Sequence, residues 1–340
     1  MTITTTATAV TCDPLDVPST LIDAVERFKT VMLAVDRGLK DRRLADDAAQ
    51  RDVSWACDHI AHNLRAHIDR EPWRESTIGN YVFREGFPYF SRSRFVDRAY
   101  AKPRGYAGDF ATINMLYDDH ADGDGRIGPL IDRWVRGLPA AQAVRNRRRL
   151  LANTIARYGY AWTRGSMPIT SLAAGPAREL FDVVCQPDAP DLFATCIDID
   201  DQALACAADT ARQLGVAHRF VFARDNVVRM IQGRGRIELR PQAMIYSVGL
   251  TDYLEDPLVL QLITWAYDKL LSGGTLIIGN VVPSNPDKAY MDHMLEWPLI
   301  HRSADELREL FARSPFGTDS LTLVPEPAGV DLFAFSHKDS

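Results

Sequence analysis

The sequence predicts a doubly wound α/β domain that follows a helical N-terminal region. From about residue 166 onward, short apolar runs alternate with helical segments, which is the arrangement that builds a parallel sheet. The last two apolar runs, DSLTLVPEP and AGVDLFAFS, lie too close together for a helix between them. They therefore predict an antiparallel hairpin at the end of the chain. The first half instead carries apolar residues at helical spacing.

The elements of the first half are mainly helices. Apolar residues repeat at helical spacing from Leu21 to Val35, and Gly38 follows as a stop signal. A second amphipathic helix runs from Val53 to Ile68. The aromatic, glycine-punctuated stretch 72–130 is interpreted as an irregular segment, and a long helix is expected from Pro139 to Gly159.

The long helix carries four arginines within VRNRRRL, from Arg145 to Arg149. Such a run is more often a solvated helix face than a nucleic-acid site, although Arg147 could still point into a ligand cleft. We expect a flexible tail over 1–20, a helical cap or substrate domain over 21–160 and the α/β domain over 161–340.

The second half reads as strands and helices in turn. The helix PARELFDVV starts with Pro176 at its first position, the helix DQALACAADTARQLG closes at Gly215, and SADELRELFARS opens with a capping box formed by Ser303 and Glu306. A further helix, PLVLQLITWAYDKLL, precedes the fifth strand. The predicted strands before the hairpin are ITSLAA, LFATCIDI, HRFVFA, QAMIYSVG and GTLIIGNVV.

Composition narrows the function classes. With 46% hydrophobic and 25% charged residues, the chain has globular composition, which excludes wholesale disorder. No apolar run reaches the roughly 18 residues of a membrane span, and the N-terminus lacks a basic segment followed by an apolar core. Five scattered cysteines without a CxxC pair predict a reducing, cytoplasmic setting and no metal site. The net charge of −6 comes without a dense basic stripe, so nucleic acid is not an expected partner.

The turn after the first predicted strand is the expected ligand site. In a doubly wound sheet, ligands bind beyond the carboxyl ends of the strands, and here the turn spans Ala173–Ala177. Asp198 lies 23 residues after Gly175, the spacing of an acid that accepts ribose hydroxyls, with Asp200 as a near alternative. The loop has one glycine and no GxGxxG or Walker pattern, which favours S-adenosyl-L-methionine over NAD. The alternative is a plain turn before a helix.

Four segments resemble the successive motifs of class I S-adenosylmethionine-dependent methyltransferases: SLAAGPAREL, CIDIDDQAL, SVGLTDYLEDP and SGGTLIIGN. More narrowly, PRGYAGDF, GPAREL, GLTDYL and NPDKAYMDHMLEWPLIHRS resemble the 3-hydroxypalmitic acid methyl ester synthase-like group. The resemblance implies a Rossmann-like seven-stranded methyltransferase sheet behind a helical cap. The chain departs from the family where Ser171 replaces a carboxylate and where Ala173 and Ala177 replace glycines.

The resemblance also implies the cofactor contacts. The backbone of the loop would hold the methionine end, Asp198 the ribose, the residues after the third strand the adenine, and the end of the fourth strand the sulfonium. The residues in this order are Ala173, Ala174, Gly175 and Pro176; Asp198; Asp225 and Asn226; Ser247 and Gly249.

Acceptor contacts are expected in three places, which are the segment after the fourth strand, PRGYAGDF and DHMLEWPLIHR. Asp252 and Tyr253 follow the fourth strand, where a residue can reach the transferred methyl, and His301 is a further catalytic candidate. In PRGYAGDF, Arg104 could bind a substrate carboxylate through two hydrogen bonds. The alternative interpretation is that this segment is only a tight inter-domain turn. Packing or surface roles are the alternative for Trp297 and Arg302. The predicted substrate-binding residues are Arg104, Tyr106, Asp109, Asp292, Glu296, Trp297 and Arg302.

These observations predict a methyltransferase for a small carboxylate-bearing acceptor, with O-methylation of a carboxylic acid such as a hydroxy fatty acid slightly favoured. The close rival is S- or N-methylation of a free amino acid, methionine included. A third hypothesis, from another class, is a non-catalytic protein that binds S-adenosylmethionine. A homodimer is left open.

Overall fold

The computed structural model describes residues 17–118 and 120–339, so most of the tail predicted at 1–20 lies outside the described residues. None of the described helices has both the length and the apolar character needed to cross a membrane. The helices are α1 (Ser19–Lys40), α2 (Asp46–Arg70), α3 (Glu75–Phe90), α4 (Arg94–Ala101), α5 (Phe110–Tyr117), α6 (Gly128–Gly137), α7 (Pro139–Ala161), α8 (Arg178–Val184), α9 (Asp201–Gln213), α10 (Val227–Ile231), α11 (Asp256–Lys269), α12 (Lys288–Met294) and α13 (Ala304–Ala312).

The strands of the described residues form a seven-stranded sheet of order β3-β2-β1-β4-β5-β7-β6. The first five strands pair in parallel, whereas β7 is antiparallel to both β5 and β6. This is the predicted Rossmann-like methyltransferase sheet with a terminal hairpin, and that prediction is confirmed. The strands are β1 (Met167–Leu172), β2 (Leu192–Asp198), β3 (Phe220–Arg224), β4 (Gln242–Val248), β5 (Leu270–Val281), β6 (Thr322–Pro325) and β7 (Asp331–His337).

The sheet buries an apolar core on each face. Along β4, Met244 and Tyr246 belong to one core and Ile245 to the other, because successive side chains of a strand point to opposite faces. Helices α7, α8 and α9 cover the first face, and α10, α11 and α13 cover the second. Because β3, β2, β1 and β4 are adjacent and parallel, their carboxyl ends lie together along one edge of the sheet. Doubly wound sheets bind their ligands at this edge.

The described residues divide into two compact units whose bounds differ from the predicted ones. The helical unit comprises 17–107, His120–Arg136 and Asp287–Trp297, and the sheet unit comprises the remaining described residues. Helix α7 belongs to the sheet unit because its apolar residues lie in the sheet's core. Helix α12 belongs to the helical unit because Tyr290 packs edge-on against two aromatic rings there.

The stretch 72–130 contains α3, α4, α5 and the start of α6, so the prediction of an irregular segment is wrong. Its aromatic residues pack along and between helices: the rings of Phe83 and Phe87, one turn apart, stack with centroids 4.6 Å apart. Gly79 lies where α12 approaches α3, and a side chain there would overlap the ring of His293. The glycine reflects close packing of two helices, not a loop.

Candidate active site

The loop between β1 and α8 has the backbone shape expected of a glycine-rich ligand loop, although it contains one glycine. Ala173, Gly175 and Ala177 all have left-handed φ angles, of 53°, 51° and 49°. Alanine adopts this conformation at a cost of about 1–2 kcal/mol per residue, so the fold retains the shape against the preference of the sequence. A Cβ at Gly175 would meet nothing within 4 Å. The space above this residue is therefore open.

Asp198, at the end of β2, holds this loop in place. Its Oδ2 accepts a hydrogen bond from the Gly175 amide at 2.8 Å, and its Oδ1 accepts one from the Asp200 amide at 2.9 Å. Burial raises the pKa of the Asp198 carboxyl, and these two amides act in the opposite direction. Asp198, the residue predicted to bind the ribose, thus contacts the loop that is predicted to hold the methionine end of the cofactor.

Asp225 and Asn226 follow β3, next along the same edge. The Asp225 carboxylate accepts backbone amides from Asn226 at 2.8 Å and from Ile237 at 2.9 Å, and also one from Arg236. Burial raises its pKa, but these amides outweigh burial and leave the pKa below its ordinary value. Asn226 caps α10 by accepting the Arg229 amide. Both side chains therefore shape the β3–α10 turn.

Ser247 and Gly249 complete the edge at the end of β4. The Ser247 hydroxyl donates to the Leu172 carbonyl at 3.0 Å, which ties the ends of β4 and β1 together. Gly249 has a φ of 85°, and a Cβ there would lie 3.1 Å from Nη1 of Arg147. The structure thus brings all nine predicted cofactor positions to the ends of four adjacent strands.

Asp252 lies in a single helical turn, Thr251–Tyr253, just beyond β4. Its Oδ1 accepts the Val281 amide at 2.8 Å, so it also touches the end of β5. Burial raises the pKa of the Asp252 carboxyl to about 6, against the Val281 amide and the charges of Arg147 and Arg302. Tyr253 is exposed, and Nδ1 of His301 lies 3.0 Å from the Leu299 carbonyl.

Two of the predicted substrate residues have structural partners instead. The Arg302 side chain is 2% exposed. It donates to the Thr251 carbonyl, to Asn280 and to the Leu254 carbonyl, and it forms an ion pair with Asp256. Asp109 is buried and caps α5 through the amides of Ala111 and Thr112, both at 2.9 Å. Because their polar atoms are used in this way, we assign both residues to the scaffold.

The remaining predicted substrate residues belong to the helical unit. Asp292 is paired with Lys288 on α12, and Glu296 lies 3.3 Å from Lys102. Trp297 is buried, and its amide donates to the Met291 carbonyl. Arg104 and Tyr106 are half-buried in the turn between α4 and α5, and the boundary between the units falls just after this pair, between Ala107 and Gly108.

Sequence reasoning noted that Arg147 could point into the ligand cleft, but it did not find Asp331, the carboxylate beside it. Arg147 of α7 approaches Asp331, the first residue of β7, with Nη1 and Oδ2 4.0 Å apart. A signal for Arg147 was present: it lies four residues from Ala143 and from Leu151, both of which are buried, so it falls on the inward face of α7. Asp331 carried no such signal.

Comparisons with known proteins agree with the fold. No protein-family model matches the sequence, and no curated protein matches it. A possible exported protein from Bordetella parapertussis matches with a TM-score of 0.55 and 16% identity, over 95% of this chain and 96% of that chain. Magnesium protoporphyrin IX methyltransferase from Synechocystis PCC 6803, with bound SAH, gives a TM-score of 0.49 at 9% identity, over 72% and 99%. The Bordetella match shows that this chain and that protein share a fold over nearly their whole lengths.

Proposed function

We propose that this protein is an S-adenosyl-L-methionine-dependent methyltransferase acting on a small acceptor. The observation that carries the proposal is the hydrogen bond between the loop after β1 and the end of β2. The loop contains three left-handed residues, and its Gly175 amide donates to the Asp198 carboxylate. This contact lies at the carboxyl edge of a methyltransferase-type sheet, where this fold class places its ligand.

The donor set of this edge fits an adenosyl cofactor without phosphates. The open space above Gly175 leaves room for a ligand against the loop backbone. Asp198 supplies carboxylate oxygens for ribose hydroxyls, and residues 225–226, which follow the adjacent strand β3, are proposed to border the adenine. When bound, the cofactor supplies a methyl group made electrophilic by the sulfonium.

The task of the protein is then to align the acceptor with this methyl group and to exclude water, since transfer is an in-line displacement. A carboxylate or thioether acceptor needs no base, whereas an amine or hydroxyl must lose a proton. Asp252 is the proposed base, because a carboxyl with a pKa of about 6 exchanges protons near neutrality. Tyr253 and His301 remain proposed neighbours of the acceptor.

For the acceptor we propose a small carboxylate-bearing molecule. The motif resemblance to the 3-hydroxypalmitic acid methyl ester synthase-like group favours O-methylation of a hydroxy fatty acid or a similar acid. The second candidate, S- or N-methylation of a free amino acid, is favoured by a different observation: Asp252 and Asp331 are buried carboxyls that suit an ammonium group.

The proposal is tested by calorimetry with S-adenosylmethionine and S-adenosylhomocysteine on the wild type and on Asp198→Ala. Loss of the ribose acceptor should weaken binding by about 1–3 kcal/mol. Asp201→Ala is the matched control, because Asp201 is exposed and pairs with Arg224. Unchanged affinity in Asp198→Ala, with the wild-type melting temperature, would contradict the ribose assignment.

A tritium-methyl assay over carboxylic acids, amines and amino acids then tests for transfer. Binding of the cofactor without transfer to any acceptor would favour the rival of another class, a non-catalytic S-adenosylmethionine-binding protein. The alanines at 173 and 177, in place of glycines, are the feature that motivates this rival.

A further inference from the structure

Arg147 is a buried cation whose hydrogen-bonding capacity is not used up by the protein. Its side chain is 12% exposed, and its nearest carboxylate oxygen, on Asp331, lies at 4.0 Å, beyond hydrogen-bonding distance. It contacts the Tyr117 hydroxyl, but its Nε is buried without a partner. The guanidinium lies beside Gly249, at the position proposed to border the sulfonium.

Asp331 has an unpaired acceptor, whereas Arg147 has an unpaired donor. Its side chain is 4% exposed, and its Oδ1 has no hydrogen-bond partner. In the sheet it lies opposite Val281, at the carboxyl end of β5, and the amide of Val281 is the group that holds Asp252. Because β7 runs antiparallel to β5, its first residue lies at the ligand edge of the sheet.

The two residues are held in place by their neighbours. Asn146, which precedes Arg147, donates to Glu326 at 2.7 Å, and Glu326 also accepts the backbone amides of Ala328 and Val330 in the β6–β7 turn. This connection fixes α7 against the hairpin that carries Asp331. The two unpaired atoms are therefore carried by two elements that are hydrogen-bonded to each other through Asn146 and Glu326.

Buried polar atoms in proteins almost always have partners, and leaving one unpaired costs free energy. Here, the unpaired atoms are one donor on a cation and one acceptor on a carboxyl. A group with a carboxylate and an ammonium a few ångströms apart would satisfy both, since the carboxylate accepts from Nε and the ammonium donates to Oδ1. That combination is the zwitterionic end of an α-amino acid.

We propose that Arg147 and Asp331 together bind the carboxylate and the ammonium of an α-amino acid group. This inference rests on the proposed function, because that function supplies two sources of such a group: the methionine portion of the cofactor and a free amino-acid acceptor. Asp331 would also replace the carboxylate that the family has where this chain has Ser171, since Asp331 supplies an acid at the same edge of the sheet.

The electrostatics of the pair are consistent with ammonium binding. Burial and the charge of Asp252 raise the pKa of Asp331 to about 8, while Arg147 opposes this shift. The titratable groups around the pair come from several elements: Tyr117 of α5, Glu179 of α8, Asp252 after β4 and Glu326 before β7. An ammonium beside Asp331 favours its ionised form, so ligand binding near pH 7 should release a proton.

The experiment compares two ligands that differ in the amino-acid portion. Calorimetry measures the binding of S-adenosylhomocysteine, which has this portion, and of 5′-methylthioadenosine, which lacks it. Arg147→Gln and Asp331→Asn should each weaken S-adenosylhomocysteine binding about tenfold or more and change methylthioadenosine binding by less than about twofold. Repeating the titration in buffers of different ionisation enthalpy should show proton release with the first ligand and none in Asp331→Asn.

The second arm tests a free acceptor: each of the twenty standard amino acids is titrated onto protein saturated with S-adenosylhomocysteine. If the zwitterion belongs to the acceptor, both variants keep their S-adenosylhomocysteine affinity and lose an amino-acid affinity that the wild type has. Arg148→Gln and Asp182→Asn are the matched controls, because this adjacent pair is complete, with two bonds of 2.7 Å.

Equal weakening of both nucleosides in the variants would overturn the proposal, and so would unchanged S-adenosylhomocysteine binding together with no amino-acid binding by the wild type. Failure of the proposed function has another signature, in which neither nucleoside binds to the wild-type protein.

Discussion

Two arginines with little exposed surface, Arg147 and Arg302, both lower the pKa of the Asp252 carboxyl, yet their surroundings differ in one respect. Arg302 has its guanidinium donors directed at two carbonyls, an amide oxygen and a carboxylate. Arg147 has a buried Nε without an acceptor and a carboxylate no nearer than 4.0 Å. A buried cation that the protein satisfies fully serves the fold, whereas one left incomplete has capacity for a ligand.

The largest expected effect belongs to the satisfied arginine. Arg302→Met should lower the free energy of unfolding by about 3–5 kcal/mol, because it leaves three buried acceptors, on Thr251, Leu254 and Asn280, without their donor. Urea denaturation measures this value. Arg308→Met is the control: Arg308 is 54% exposed and pairs with Asp305, so its loss should cost less than about 1 kcal/mol. If Arg302→Met were as mild as the control, the distinction between the two buried arginines would fail.

The next effect concerns the incomplete pair and its dependence on pH. An unfolded aspartate ionises near pH 4, whereas burial and the charge of Asp252 raise the pKa of folded Asp331 to about 8. Between these two values the native state binds more protons than the unfolded state, so the wild type should lose stability as the pH rises. Asp331→Asn removes this titration.

We therefore expect Asp331→Asn to gain stability relative to the wild type steadily as the pH rises from 4 to 8, because only the native wild type keeps the extra proton over this range. Denaturant unfolding of both proteins at the two pH values measures the difference. A constant difference would mean that the Asp331 carboxyl is already satisfied within the protein, which would remove the contrast with Arg302.

The sequence was sufficient for the sheet because the signals for strands and hairpins are local. Alternating apolar runs and the short gap before AGVDLFAFS depend on residues that are close in the chain. The error in 72–130 has the opposite cause. Whether a glycine ends a helix or admits a neighbouring one depends on α12, about 200 residues away from Gly79, and no local pattern contains that information.

The same reasoning explains why the sequence could not distinguish the surroundings of the two arginines. Arg302 was interpreted as a substrate contact because it lies in a polar, motif-like segment, and the run from Arg145 to Arg149 was interpreted as a solvated face from which Arg147 could still point into the cleft. What separates the residues is the supply of acceptors: the fold delivers carbonyls from residues 251 and 254 to Arg302 and none to Nε of Arg147. Asp198 was easier to predict, since strand order alone places it at the loop after β1.

The smallest expected effect is that of Arg148, which adjoins Arg147 in the sequence but points elsewhere. Its guanidinium donates twice to Asp182, and both side chains are partly exposed. Exposed pairs of this kind contribute about 0.2–1 kcal/mol, so Arg148→Gln should shift the urea midpoint slightly and leave the binding of S-adenosylhomocysteine unchanged. A loss of affinity as large as that of Arg147→Gln would show that the general positive charge of α7, rather than the unpaired Nε of one residue, attracts the ligand.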